Sequence, residues 1–366
     1  MQKSNFQMPA YLKALSVMVF IIVLVFFLIV GKSLLIPIFM GGFFAILFTP
    51  LSDFLEKYRI PRTVAAVISL LTMMLLVAGL LSFIIGNVVS FTQDFTGVSG
   101  RLSQMVGQAD QWITDTFGLP SNLGAQLDLD ILLKYINKNS SSISAFALET
   151  IGSLTGLVLI PLFMFFLLLY RSHLTQMMVM IYKDHEPLQV KEKISSLRKV
   201  IQNYIIGVGK VMVILAILNI IAYSIIGVKH AVFFGVLGAI LNIIPYVGPL
   251  IGVTLPIIYA FLTMDSLLYP VLIIGAYQII QLLEGNFLTP KIVGGNVNLN
   301  AFMTFLGLLI GGSIWGIAGM ILVIPTLAIL REIFDLSENT KPFALLLGEE
   351  KEEKKEETKD QSQDEK

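Results

Sequence analysis

Apolar residues in this chain come in long unbroken blocks, with the polar residues gathered between them. Uncharged segments run over 14–31, 33–52, 63–93, 150–170, 211–228, 231–264, 266–283 and 292–330. Each reaches or exceeds the ~18 residues that a helix needs to cross the hydrocarbon layer. The pattern predicts an all-α fold, a polytopic transmembrane helical protein with about eight membrane segments. Two segments are too long for one crossing. At ~1.5 Å per residue, 231–264 would extend ~51 Å and 292–330 ~58 Å, against a hydrocarbon core of ~30 Å. Both are predicted to be broken or re-entrant, the first at Pro245-Tyr246-Val247-Gly248-Pro249 and the second at Gly311-Gly312-Ser313-Ile314-Trp315-Gly316.

The polar stretches set an orientation. In 94–149 the acids Asp94, Asp110, Asp115, Asp128, Asp130 and Glu149 outnumber Arg101, Lys134 and Lys138. In 171–210 the balance reverses, with Arg171, Lys183, Lys191, Lys193, Arg198, Lys199 and Lys210 dominant. Positive residues stay on the cytoplasmic side. The chain is therefore expected to divide into three N-terminal spans (1–93), an extracytoplasmic helical insert (94–149), a fourth span (150–170), a basic cytoplasmic loop (171–210), a C-terminal membrane region with the broken segments (211–340) and a charged tail (341–366). The N-terminus is expected inside. Leu102, Met105, Val106, Ala109, Trp112 and Ile113 form an amphipathic stripe in the insert, and Val190, Ile194, Leu197, Ile201 and Tyr204 form one in the basic loop. Packing on neighbouring spans, the membrane interface or a subunit contact within a homo-oligomer would each use such stripes. The tail is too polar to order itself around a core.

Composition narrows the chemistry. Only 14% of residues are charged and 55% are hydrophobic, whereas soluble domains carry about 25% charged residues. Lys3 and Lys13 bracket the first apolar run as in a signal peptide, but no small-residue cleavage pattern follows, so it is read as a retained span. The absence of cysteine excludes disulfides and thiolate chemistry. Gly31-Lys32-Ser33 lacks the upstream glycine of a phosphate-binding loop, and His173, His185 and His230 show no ligand spacing. No nucleophile dyad or acid pair stands out. The expectation is a protein with no catalytic residue, cofactor or metal and no nucleic-acid partner, one that works in the lipid bilayer.

Candidate binding residues concentrate in the last third. The prolines of Asn242-Ile243-Ile244-Pro245-Tyr246-Val247-Gly248-Pro249 free backbone groups at membrane depth, and such groups must face protein or a watery cavity. Either a plain turn or a substrate site built from broken helices would use this arrangement. Gln278, Gln281, Glu284, Asn286, Lys291, Asn296, Asn298 and Asn300 form a polar cluster beginning at the end of the seventh segment. The spacing of Gln278, Gln281 and Glu284 places them on one helical face, and Lys291 is a candidate counter-charge for Glu284. Gly248 with Gly252, Gly307 with Gly311 and Gly312 with Gly316 are spaced for close helix approach. The two broken segments also resemble each other faintly, each opening on a Phe-rich run and closing on a proline, as internal repeats in transporters do.

Three stretches occur in the order found in the autoinducer-2 exporter (AI-2E) family of bacterial permeases. They are Asn-Ile-Ile-Pro-Tyr-Val-Gly-Pro at 242–249, Glu-Gly-Asn-Phe-Leu-Thr-Pro-Lys-Ile-Val-Gly at 284–294 and Gly-Ile-Ala-Gly-Met-Ile-Leu-Val-Ile-Pro at 316–325. The chain resembles that family over roughly residues 10–340. The resemblance implies a bacterial cytoplasmic-membrane transporter of a small polar solute such as the quorum-sensing signal autoinducer-2. It equally implies, for other members, a sodium or lithium/proton antiporter, and a non-transporting scaffold is the reading from another class. Asn242, Pro245, Gly248, Pro249, Glu284, Asn286, Pro290 and Lys291 lie within the matching stretches. Gln278 and Gln281 join them as candidates for the substrate or ion path.

Overall fold

The computed structural model describes residues 9–94, 111, 114–115, 154–181, 187–293, 299–335 and 340–349. The insert stripe and the tail predicted above lie outside them, apart from those isolated positions and the tail's first residues. The described residues form helices α1 (Ala10–Val30), α2 (Lys32–Lys57), α3 (Arg62–Asp94), α4 (Leu154–Ile181), α5 (Pro187–Ile226), α6 (Ala231–Leu241), α7 (Val247–Thr263), α8 (Leu268–Leu283), α9 (Thr289–Ile292), α10 (Ala301–Asp335) and α11 (Lys341–Leu347). Among the described residues seven helices are long and apolar enough to cross a membrane, and α6 and α7 are shorter apolar helices. Helices dominate because hydrocarbon offers no partner to a backbone amide or carbonyl, so each segment must satisfy its own.

Helices α2, α3 and α4 pack around Ala45, Ala66, Met73, Met164 and Leu168. Gly41 lets α2 approach α4 closely, since a Cβ there would sit 2.8 Å from that of Phe163. One end of this group is stapled by charge: Arg171 places Nη2 2.7 Å from both Asp53 Oδ1 and Glu56 Oε1, and Arg62 donates to Ser172 Oγ at 2.8 Å. The opposite end carries Asp94. Helix α1 lies at the edge of the bundle and touches it near its C-terminus, where Trp315 Nε1 donates to the Leu28 carbonyl at 2.9 Å.

The basic loop and the fifth span are one continuous helix, α5, of 40 residues, or ~60 Å at ~1.5 Å per residue. Its first half carries exposed Lys191, Lys193 and Lys199, whereas Ile201 is buried and Val190, Ile194, Leu197 and Tyr204 are partly covered. That stripe therefore faces the chain's own helices over at least part of its width.

Both overlong segments are helical hairpins. In the first, α6 and α7 run antiparallel, with Gly238 against Gly252 and the rings of Phe234 and Tyr259 at 5.2 Å. Asp94 bonds both His230, at the start of α6, and Tyr259, near the end of α7. The hairpin therefore enters and leaves at the Asp94 end. In the second, residues within α10 face one another across a sharp turn: Gly307 meets Val323 and Leu327, Gly311 meets Gly319, and Gly312 meets Met320. The turn is Gly316, with φ 59 and ψ −137, a backbone conformation open to glycine and costly for other residues. Its two ends lie near α11, where Asn300 N donates to the Leu347 carbonyl at 2.9 Å. Ile292, placed at the start of the eighth segment by the apolar pattern, instead ends the short helix that continues the seventh, and the second hairpin begins at Ala301.

Candidate functional site

The tip of the first hairpin is built without regular helix. Asn242, Ile243 and Ile244 close tight turns onto Gly238, Ile240 and Leu241, and Pro245 has no amide to give. Tyr246 then takes φ 64 and ψ −51, with the Val247 amide donating to the Pro245 carbonyl at 2.8 Å. This is a γ-turn of the rare, strained sense. The left-handed residue is thus Tyr246 rather than a glycine. Gly248 serves close approach: a Cβ there would lie 1.7 Å from the Leu241 carbonyl oxygen.

Helix α8 ends in a π-turn, Glu284–Leu288, of the kind often found at functional sites. The turn folds Thr289 back so that its hydroxyl donates to Glu284 Oε1 at 2.5 Å. Glu284 is partly buried, and this hydroxyl, not Lys291, is its hydrogen-bond partner. Lys291 Nζ instead stands 6.0 Å over the Phe287 ring.

These two irregular elements meet at a cavity of about 610 Å³ lined by Tyr204, Val208 and Val211 of α5, the tip residues Asn242, Ile243, Pro245, Tyr246 and Pro249, Tyr277, Gln281, Glu284 and Thr289 of α8 and its continuation, and Ile324 of the second hairpin. The ring of Tyr246 packs edge-on against Phe305 of the second hairpin at 5.6 Å. Of the expected site residues, Asn242, Pro245, Pro249, Gln281 and Glu284 are brought together here. Gly248 supports the tip from behind. Gln278, Asn286, Pro290 and Lys291 are exposed on other faces, and Asn286 donates back to the Leu282 carbonyl at 2.9 Å.

The separation of Gln278 from Glu284 has a simple cause. A step of three residues falls ~60° short of a full turn at 3.6 residues per turn, so two steps drift by ~120°. Tyr277, Gln281 and Glu284, at i, i+4 and i+7, hold one face, and the tyrosine is the member that sequence spacing signalled and polarity concealed. A narrower cleft of about 20 Å³ continues from the cavity, sharing Asn242, Pro249, Tyr277 and Gln281 and adding Leu215, Asn219, Tyr223, Gly238 and Gly252. Asn219 is a buried polar residue on α5.

A second polar group lies at the Asp94 end. Asp94 Oδ1 accepts from Lys229 Nζ at 2.7 Å, and Oδ2 lies 2.7 Å from His230 Nε2 and accepts from the Tyr259 hydroxyl at 2.8 Å. Burial alone would raise the Asp94 pKa, but the hydrogen bonds from Lys229, His230 and Tyr259 outweigh it and hold it at about 2, below the usual 3.8. The ionised, paired form is present above that ordinary value, and its contribution is lost as pH falls through about 2. No sequence pattern joins Asp94 to residues so far along the chain.

Residues 15–339 match the model of the AI-2E family transporter. The Bacillus subtilis protein YueF is 28% identical over 342 residues, covering 86% of this chain and 91% of its own. YrrI of the same organism is 35% identical over 129 residues, 35% of this chain and 36% of its own. The AI-2 transport protein TqsA of Escherichia coli is 22% identical over 325 residues, 87% and 90% of the two chains. With a match over nearly its whole length and a bundle of membrane-length helices to carry it, the chain belongs to the AI-2E transporter family.

Proposed function

We propose that the protein is a secondary transporter of a small, polar, hydroxyl-rich solute of the autoinducer-2 kind, and that the cavity between the first hairpin tip and the π-turn of α8 is its binding site. The observation that carries this reading is the lining. Two carboxamides (Asn242, Gln281), four hydroxyl-bearing side chains (Tyr204, Tyr246, Tyr277, Thr289) and one carboxylate (Glu284) line about 610 Å³ otherwise walled by apolar groups. Ligand sites typically enclose roughly 300–1,000 Å³ with a few polar groups that fix orientation. Broken helices at membrane depth supply such groups in known transporter architectures. In this reading Glu284 accepts from a substrate hydroxyl in exchange for the bond it now takes from Thr289. The same carboxylate would serve sodium or lithium in exchange for protons, so the experiment compares the two cargoes.

Purified protein in vesicles should move autoinducer-2, and Glu284→Gln should lower the rate by about ten-fold or more, the loss expected from ~1.4 kcal/mol of binding, with unchanged expression and size-exclusion profile. Sodium-driven proton exchange without solute movement would assign the site to a cation, and an unaffected Glu284→Gln would remove the site. The protein is further proposed to lie in the bacterial cytoplasmic membrane with its N-terminus and the basic start of α5 inside. Because there is no native cysteine, Ser121→Cys and Ser195→Cys report this directly. An impermeant thiol reagent outside the cytoplasmic membrane should label position 121 and spare 195, and the reverse pattern would invert the topology.

A further inference from the structure

The polar residues of the cavity do not stop at its rim. Along α5, Tyr204, Val208 and Val211 line the cavity, Leu215, Asn219 and Tyr223 line the narrow cleft above it, and Lys229 and His230 follow at the helix's end beside Asp94. The spacing of four, three, four, four and four residues from Tyr204 to Tyr223 keeps one helical face turned to a single route. The route is open at the cavity and shut above. At about 20 Å³ the cleft is near the size of one water. Beyond it Tyr223, Phe233, Phe234, Tyr259 and Ile273 are 0–3% exposed and form a solid plug. The plug consists of the first hairpin packed on α5 and α8.

Its attachment to α3 combines packing and charge. Phe83 of α3 packs against the plug, and Asp94, at the end of α3, takes hydrogen bonds from the hairpin region on its one carboxylate. That carboxylate reaches both legs of the hairpin at once, His230 at the foot of α6 and Tyr259 in α7. The legs hold each other through the close approach of Gly238 to Gly252 and through the paired rings of Phe234 and Tyr259. Such a hairpin can shift as a unit along its neighbours once its feet are released.

We propose that Asp94, with Lys229, His230 and Tyr259, is the latch of the transport gate: it holds the first hairpin shut over the Asp94 end of the route, and its release opens that end to the binding cavity. This rests on the cavity being the transport site. The structure is then the state closed at the Asp94 end, and Asp94 is a positioning residue that never touches the solute.

The test reads the gate without any substrate. In an otherwise cysteine-free chain, Asn219→Cys reports the cleft and Val208→Cys the already open cavity. In the purified full-length protein, Asp94→Asn should speed reaction of a small methanethiosulfonate at position 219 by about ten-fold, equivalent to ~1.4 kcal/mol, and leave position 208 unchanged. His230→Gln and Tyr259→Phe, each removing one partner, should give smaller accelerations, and Asp94→Glu should restore slow labelling. Equal labelling at position 219 with and without Asp94 would overturn the latch. So would acceleration at both positions with loss of the thermal transition, which would reduce the cluster to a structural tie. Because labelling needs no solute, a failure of vesicle transport counts against the cavity as a transport site, while the labelling result decides the latch separately.

Discussion

The first hairpin, α6–α7, and the second, within α10, reverse the chain at membrane depth by different means. The first turns over several residues, from Asn242 to Tyr246, and places an amide and a strained tyrosine against the polar cavity. The second turns at Gly316 alone and is zipped by Gly307, Gly311, Gly312 and Gly319. Its tip stands at the wall of a larger, mostly apolar cavity of about 960 Å³ shared with α2, α3 and α4. A short glycine turn exposes little backbone and makes a compact strut. A longer proline-containing turn leaves polar backbone that must be satisfied, which makes it useful beside a solute and costly elsewhere. With the cavity as the proposed site, chemistry and packing are divided between two hairpins of similar outline.

Substitution at the tips sharpens that division. The largest effect is expected at Gly248→Val, because its Cβ would overlap the Leu241 carbonyl, which belongs to the backbone and cannot swing aside. A loss beyond ~3 kcal/mol is expected, at the upper end for overpacking, seen as a collapsed size-exclusion peak and melting transition. A well-folded Gly248→Val protein would show that the first tip is as adaptable as a surface loop. Gly316→Ala comes next. No atom lies within 4 Å of a Cβ at that position, so only the positive φ resists it, at roughly 1–3 kcal/mol. Thermal melting should shift while vesicle transport per folded molecule stays near wild type. A selective transport loss there would give the second tip a share in the site. Gly79→Val sets the floor: Gly79 has ordinary helical φ and nothing within 4 Å of its Cβ. Its melting point and transport should both stay within the ~0.5 kcal/mol expected of surface changes.

Much of this was legible in the blocks of apolar sequence. Segments too long to cross once had to break, and proline and glycine marked where: the Gly316 turn falls within its predicted break, and the first tip, Asn242 to Tyr246, overlaps its own. The unusual backbone angles at the first tip fall on Tyr246, which no spacing marked, while Gly248 supplies clearance. Half of the candidate path residues line the cavity and half do not, because polarity along a helix does not state which face is turned inward. Lys291 was a reasonable counter-charge for Glu284 by separation along the chain, but the π-turn rotates it away and brings Thr289 instead.

The sequence by itself determined that this chain is helical, lives in a bilayer and breaks twice in its C-terminal region, since hydrocarbon forces each segment to satisfy its own backbone locally. Tertiary structure alone decided that the two breaks are hairpins, that Tyr204 and Tyr277 share a cavity with Glu284, and that Asp94 reaches Lys229, His230 and Tyr259. Those contacts join residues up to 165 positions apart, and such pairings depend on how helix faces fit together in space, which no local periodicity records.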